Sequence, residues 1–592
     1  MRPFTRLNTW DFLVRALPVC QFVRKYETNV AICDLVAGIT VGLTLIPQVI
    51  AYASLAGLGP QYGLYSSLCG GFIYALVGTI PELNIAPTAL LSLLTFQYTH
   101  NASFGALRAA IMLTFFAGVI ELICGIFHLG FLVDFVSTPV VSAFTSAGAI
   151  TIASSQIKNL FGLKYDAESF IDVWTKFFMH ITEVELWDTL LGFSCIFILL
   201  AMRKLKDYGE PPVADTNDKA GFTYKKIIWF ASVGRNAMVV VSCAIIAYVF
   251  KFHNEKPFSL TSKVPSGFPN FSIPLKPIEA SNGTNGTEIP AMISELGSSI
   301  VVMPFVAILA NVGIAKAFAR EKVVDASQEM IAVGFCNIVG SFFGSYPVNA
   351  SFSRAAISSA SGVRTPISGI YTGIMVIMAF TFLTPYFPYI PKATLAAVII
   401  CAVIFMVEIS ITKMIWDINK LDMLPFVITF VSCLVIGIEV GILVGVLVEI
   451  CKLVYFASRP KILIKKVHNR TSYLRIIFTS SLFFSSAEYS REKILKDTLN
   501  SAQDTQLILL DCTRMFNMDF TAGKCVESLV KDLQKRGKNV SFLVQKDRVA
   551  KILNNCCDGK ILTFKNENEY NSSLPGKPEP SNGDLEAVST QL

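Results

Sequence analysis

Two stretches decide the fold: Ile85-Ala-Pro-Thr-Ala-Leu-Leu-Ser-Leu-Leu-Thr-Phe-Gln-Tyr98 and Ala350-Ser-Phe-Ser-Arg-Ala-Ala-Ile-Ser-Ser-Ala360. Each lies in a chain of long apolar runs, yet each is too short to cross a bilayer, which takes about 20 apolar residues as a helix. The first has Pro87 at its third position; the second follows Pro347 and carries Arg354. A matched pair of short, proline-interrupted segments points to the binding site of a transporter built from two repeats. Half-helices that begin near the midplane aim free N–H groups and the positive dipole end inward, which suits an anion. Interfacial or degenerate spans are the alternative, and Arg354 weighs against it, because an arginine inside a span is costly and seldom idle.

Outward from these stretches the chain reads as a membrane protein. Of 592 residues, 53% are hydrophobic and 16% charged, against roughly 25% charged in a soluble domain. About fourteen apolar segments follow one another between residues 31 and 457, most of them long enough to cross a bilayer. They begin near Val36, Gly63, Ile85, Ala109, Phe131, Trp187, Ile227, Ser298, Ile331, Ala350, Pro366, Ala393, Met423 and Gly441. Ile85 and Ala350 are then the third and tenth, corresponding members of two seven-segment halves. Residues 1–30 are polar, without the apolar core of a signal peptide, and are expected to be cytosolic.

An even number of spans returns the C-terminus to the cytosol. The basic sixth-to-seventh connection (Arg203, Lys204, Lys206, Lys219, Lys225, Lys226) agrees, as do Lys413, Lys420, Lys452, Arg459 and Lys461. The opposite face should carry glycan acceptors, and Asn101, Asn270, Asn282 and Asn285 begin Asn-x-Ser/Thr sequons there. Sequons at Asn469, Asn539 and Asn571 lie on the expected cytosolic side, so the topological support is modest. The net charge of +7 sits in short loops and gives no reason to expect a nucleic-acid partner. The 14 cysteines lie in apolar spans or at the cytosolic ends and read as reduced thiols. Cys556 and Cys557 are adjacent, a spacing unsuited to zinc.

In the first span, Pro47 frees a backbone carbonyl and Gln48 offers a neutral donor. Contact with the solute and an interhelical hydrogen bond are equally good readings of Gln48. The surrounding motifs resemble those of the sulfate permease (SulP) family. They are Asp34-Leu-Val-Ala-Gly38, Ile46-Pro-Gln-Val-Ile-Ala-Tyr-Ala53, Leu58-Gly-Pro-Gln-Tyr-Gly-Leu-Tyr65, Gln328-Glu329, Gly334-Phe-Cys-Asn337, Gly340-Ser341 and Phe352-Ser-Arg354. The resemblance covers nearly the whole chain and is strongest to the animal sodium-independent sulfate anion transporters. It implies two inverted seven-span repeats sorted into core and gate domains, a homodimer, and an elevator-like movement of the core past the gate. It also places Gln48, Tyr52, Thr88, Ala89, Phe352, Ser353 and Arg354 around an anion: sulfate, or the related chloride, bicarbonate or oxalate.

Two positions depart from relatives. Thr88 stands where chloride-selective and motor-type members often have an aromatic, and its hydroxyl and smaller volume favour a larger oxyanion. Ala310, in Ile308-Leu-Ala-Asn-Val-Gly-Ile-Ala-Lys316, replaces the glutamate of proton-coupled members, so exchange or facilitated flux is expected.

After the last span the pattern changes. Strands at Tyr473–Thr479, Gln506–Leu510 and Asn539–Val544 alternate with helices at Ser490–Ser501 and Thr521–Gly537. This α/β tail resembles a STAS domain, expected over residues 458–570, and the polar residues 571–592 are expected to be disordered. Asp519-Phe-Thr521 aligns with the phosphorylated Asp-x-Ser of bacterial antagonists, though Thr521 as a helix N-cap is the stronger reading. Thr590-Gln-Leu592 fits a weak PDZ-type C-terminal motif.

Enzyme motifs such as His-Glu-x-x-His, Gly-x-Ser-x-Gly and Gly-x-x-x-x-Gly-Lys-Ser/Thr are absent, the five histidines are scattered, and no cofactor or metal is expected. Glu121, single in its span, either relays protons or pairs within the bundle. A channel-like anion pathway, a chloride/bicarbonate exchanger and a membrane-anchored STAS signalling scaffold are the competing functions. The expected location is the plasma membrane, in contact with lipid, with a lysosomal membrane as the alternative.

Overall fold

A computed structural model describes residues 17–24, 26–165, 167, 169–208, 227–229, 231–253, 257–261, 267–276, 289–319, 324–468, 471–501, 505–557 and 562–574. Asn282, Asn285, Asn469, Thr590 and Leu592 lie outside the described residues. The chain divides into two compact units, Met1–Leu447 and Val448–Leu592.

Helices stand at each expected apolar segment. The first half comprises α1 (Thr28–Leu55), α2 (Pro60–Val77), α3 (Ala89–Thr99), α4 (Ala106–Ile126), α5 (Thr138–Ser155), α6 (Leu186–Lys204) and α7 (Arg235–Phe252). The second comprises α8 (Ser299–Phe318), α9 (Ala326–Ser341), α10 (Phe352–Ala360), α11 (Ser368–Met378), α12 (Lys392–Val403), α13 (Met423–Val435) and α14 (Ile438–Ser458). Among the described residues, eight helical stretches are long and apolar enough to cross a membrane. The fifth helix begins at Thr138 rather than near Phe131, because Leu129–Phe135 forms a 3₁₀ turn before it. Short helices at Phe170–Met179 and Ile409–Ile418, 10 residues each, lie outside the expected segments; the second continues the apolar stretch Lys392–Ile418.

The outer helices expose what a soluble protein would bury. Leu190 and Phe197 on α6 are 63% and 74% exposed, and Val241 and Ile245 on α7 are likewise exposed. Such faces are favourable only against lipid, where the helix satisfies its own backbone. The inner helices instead approach through glycine. A Cβ on Gly63 would collide with the carbonyl of Val49, and one on Gly70 with the carbonyl of Ile85. Close backbone approach through small residues is the usual way helices associate without a hydrophobic driving force. Asp34 is fully buried on α1 and accepts from the N–H groups of Arg364 (2.8 Å) and Thr365 (3.0 Å), pinning the loop before α11.

The second unit is a five-stranded sheet in the order β1 (Ile462–His468), β2 (Ser472–Phe478), β3 (Leu507–Asp511), β4 (Asn539–Leu543), β5 (Leu562–Phe564). β1 pairs antiparallel to β2, and the remaining pairs are parallel, as crossover helices require. The helices are α15 (Phe484–Ser501), α16 (Phe520–Lys535), α17 (Asp547–Cys556) and α18 (Glu567–Ser573). The cap of α16 is Asp519, which accepts from Ala522 N at 2.8 Å; this corrects the reading of Thr521, which sits inside the first turn and is exposed. α18 continues past residue 570 because Tyr570 and Leu574 bury against Tyr473, Leu509 and Leu543.

Candidate functional site

The two short segments meet. Ala86 and Asn349 form an isolated antiparallel bridge, exchanging N–H···O bonds of 3.1 Å in both directions. Three residues after each, a short helix begins: α3 at Ala89 and α10 at Phe352. The two helix N-termini therefore start from one crossing. The first N–H groups of a helix have no intrahelical acceptor, and two positive dipole ends converge there. Thr88 caps α3 through a 3.4 Å bond from Leu91 N to its Oγ1. Ser351, at the corresponding position of α10, makes no such cap; its Oγ lies 3.1 Å from Ser353 Oγ.

Arg354 holds this crossing together. It is fully buried, and its guanidinium donates to the carbonyls of Pro87 (Nη1, 2.9 Å), Ala86 (Nη2, 3.0 Å) and Asn349 (Nη2, 3.2 Å). Chain breaks in a membrane leave carbonyls that water cannot reach, and each must find a donor within the protein. One planar fork with several donors meets that need on both strands at once. It also leaves a full positive charge between the two helix starts.

The remaining expected residues gather around the crossing to different degrees. α1 packs against both α3 and α10. On it, Gln48 and Tyr52 are buried, and Gln48 Oε1 has no hydrogen-bond partner among the described residues. Tyr52 lies within electrostatic reach of the Arg354 guanidinium. Ala89 is buried at the first position of α3, where its side chain is a single methyl. Phe352 is 55% exposed, its ring 5.0 Å from that of Phe318 on α8. Asn101 and Asn270 are both exposed.

Sequence reasoning passed over the residues that position the site. Asn337 on α9 takes the N–H of Val348 on its Oδ1 (2.9 Å), and Asn349 donates from Nδ2 to Ala307 O on α8 (3.0 Å). Tyr346 N donates to Ser66 Oγ on α2 (3.0 Å), and Tyr346 Oη lies 3.3 Å from Ser92 Oγ. Asparagines flanking Pro347 were the available signal, since buried amides in spans are seldom idle. A cavity of about 240 Å³ lined by Phe96, His100, Thr151, Ser169, Cys433 and Gly437 lies at the C-terminal end of α3, away from the crossing.

Comparison with known proteins gives a consistent picture. The model of the sulfate permease family matches residues 32–429, and that of the STAS domain matches residues 464–569. The chain is 37% identical over 577 residues to the sodium-independent sulfate anion transporter of Bos taurus, covering 97% of this chain and 94% of that one. It is 31% identical over 567 residues to the chloroplastic sulfate transporter 4.1 of Arabidopsis thaliana, covering 90% and 78%. The fold is similar to that of the murine Solute Carrier 26 family member A9 anion transporter in its inward-facing state. The TM-score there is 0.81 at 18% identity, covering 97% of this chain and 96% of that one. The transmembrane domain of the cyanobacterial bicarbonate transporter BicA superposes with a TM-score of 0.56 at 17% identity, covering 72% and 98%.

Proposed function

Because the chain belongs to the sulfate permease family, we propose that it carries sulfate and related small anions across a membrane, bound in front of the α3 and α10 N-termini. The observation that carries this reading is the Ala86–Asn349 crossing, from which both helices start around a buried arginine. Gln48, Tyr52, Thr88, Ala89, Phe352, Ser353 and Arg354 form the proposed cradle. The free N–H groups donate to the anion, the Thr88 and Ser353 hydroxyls add donors, and the Arg354 charge offsets the oxyanion's. Nothing in this arrangement breaks or makes a covalent bond, so the reading is transport rather than catalysis.

Sulfate is favoured over chloride because Thr88 leaves room and a donor where an aromatic would leave neither. Ala310 supplies no titratable carboxylate, which supports anion exchange independent of a proton gradient, and the likeness to the sodium-independent sulfate anion transporter of Bos taurus supports independence of sodium. An elevator movement of core past gate, a homodimer, glycans at the four external sequons, cytosolic termini and a plasma-membrane location complete the reading, which extends to chloride, bicarbonate and oxalate.

The test is radiolabelled sulfate uptake into liposomes holding the purified protein, with trans chloride, sodium and the proton gradient varied one at a time. Trans anion is expected to stimulate uptake, whereas neither sodium nor an inward proton gradient is expected to drive accumulation above equilibrium. Chloride conductance without sulfate flux would replace the exchanger with a channel-like pathway.

A further inference from the structure

Among the described residues of the first unit two glutamates are fully buried, and their surroundings differ in kind. Glu329, at the start of α9, accepts from Tyr74 Oη (2.9 Å), Thr79 N (3.2 Å) and Thr79 Oγ1. Three donors suit a carboxylate, since hydrogen bonds to the charged form stabilise it. Glu121, in the C-terminal third of α4, has one. Its Oε2 accepts from Asn337 Nδ2 at 2.8 Å, and its Oε1 has no hydrogen-bond partner. Among the described residues it makes no ion pair.

The helices that carry Glu121 and its one donor approach closely beside it. One turn before it, Gly118 faces Gly334, which lies one turn before Asn337. A Cβ on Gly118 would fall 2.7 Å from Ile338 N and 2.8 Å from Gly334 O, and one on Gly334 would fall 2.7 Å from Leu122 N. α4 and α9 thus touch backbone to backbone beside the carboxyl. The titratable side chains facing it are two thiols, Cys336 on α9 and Cys124 on its own helix. Of the other elements packed on α4, α8 offers only Lys316, which is exposed, and α3 has no charged residue. The helix Ile289–Leu296 offers Glu295, which is bonded to Ser103, and the turn Leu129–Phe135 carries Asp134 beyond the C-terminal end of α4. An ionised carboxylate with a single neutral donor in so apolar a place is far costlier than the neutral acid.

The same carboxyl is wired to the crossing. Asn337 donates to Glu121 through Nδ2 and accepts Val348 N through Oδ1 (2.9 Å), so its amide orientation is set from both ends. Val348 precedes Asn349, whose carbonyl takes Arg354 and whose backbone pairs with Ala86. We propose that Glu121 is a protonation gate: it is the neutral acid in this conformation, and loss of its proton drives the α4–α9 seam apart and withdraws Asn337 from the strand that carries α10. The proton passes between Glu121 and the medium when the seam opens, and it is not carried stoichiometrically with the anion. This inference rests on the transport reading above and predicts a pH effect that needs no proton gradient.

The test uses the full chain in liposomes, with both faces held at the same pH and sulfate exchange measured from acid to alkaline medium. Wild-type exchange is expected to fall several-fold as pH rises. Glu121→Gln, which keeps an acceptor for Asn337 Nδ2 and cannot ionise, is expected to exchange at the acid rate across the whole range. Parallel pH curves for the two proteins, or a flat wild-type curve, would overturn the gate. Infrared difference spectra of the same samples give a readout that does not need flux. A carboxylic-acid C=O band should be present in the wild type, absent in Glu121→Gln, and lost on alkalinisation; its absence from the wild type would also overturn the proposal. If no anion is exchanged at any pH while that band behaves as expected, the transport reading fails and the protonated Glu121 stands.

Discussion

Arg354 and Pro87 are 267 positions apart, and the guanidinium of one donates to the carbonyl of the other at 2.9 Å. That bond joins the two halves at their breaks. A single side chain thus serves as structural clamp for the unwound backbone and places a positive charge beside both helix starts, where the proposed cradle lies.

Removing it should therefore be severe. Arg354→Ala leaves carbonyls of both strands without a donor, at about 1–3 kcal/mol for each buried group, and removes the charge. Sulfate flux is expected to fall to background, measured as uptake normalised to surface protein. Arg354→Lys, which cannot span both strands with one planar fork, should restore only part of it. Wild-type uptake by the alanine variant at equal surface amount would refute the assignment.

Thr88 gives a selectivity test. Its Oγ1 caps α3 through Leu91 N, so Thr88→Ser should keep both the cap and sulfate flux. Thr88→Phe removes the hydroxyl and fills the space in front of the helix, and losing an N-cap costs about 1 kcal/mol. The ratio of sulfate to chloride flux is expected to drop several-fold in Thr88→Phe. An unchanged ratio would show that this position does not sort anions.

Gly70 tests the packing beneath the site. A Cβ there would run into the carbonyl of Ile85, the residue before the bridge. The obstacle is backbone rather than a movable side chain, so α2 must shift away from the strand. Overpacking of this kind costs about 1–3 kcal/mol. Gly70→Ala is expected to lower the melting temperature in detergent and the sulfate flux together. Gly313→Ala, whose Cβ would meet open space, is the control and should change neither.

The soluble unit should respond to acid through Asp511. Burial raises its carboxyl pKa, but the hydroxyl and N–H of Thr513 (2.6 and 3.0 Å) and the Arg475 fork (2.9 and 2.7 Å) outweigh burial and hold it below the usual range. A depressed folded-state pKa contributes stability in full above the unfolded carboxylate pKa of about 4, and that contribution is lost as pH falls through the folded value. Thermal unfolding of residues 458–574 should therefore show a melting temperature that declines below that point. Asp511→Asn should melt lower at neutral pH and flatten this part of the acid decline. An identical acid limb in the variant would exclude Asp511 as its source.

Much of this protein was legible in the order of its residues. Bilayer length and apolar composition are local properties, so the segments from Val36 to Gly441 could be counted before any contact was known. The broken pair was legible for the same reason, since Pro87 and Pro347 interrupt their segments wherever the chain goes. Alternation in the tail exposed the strands from Tyr473 onward. The short β5 and the antiparallel β1 carried too little periodic signal, because three residues are too few to show alternation and Ile462-Leu-Ile-Lys-Lys-Val-His468 does not alternate. What the tertiary structure alone decided is partnership. Arg354 could be read as a charge in a span, but that it serves the carbonyls of residues 86, 87 and 349 depends on two strands more than 260 positions apart lying side by side. Glu121 lies in an apolar run and Glu329 follows Asp325, Ser327 and Gln328, yet neither place in the chain gives the number of donors around the carboxyl. Three donors around one and a single donor around the other arise only when α4, α9 and α2 pack, because a carboxyl's state is set by neighbours in space and not in the chain.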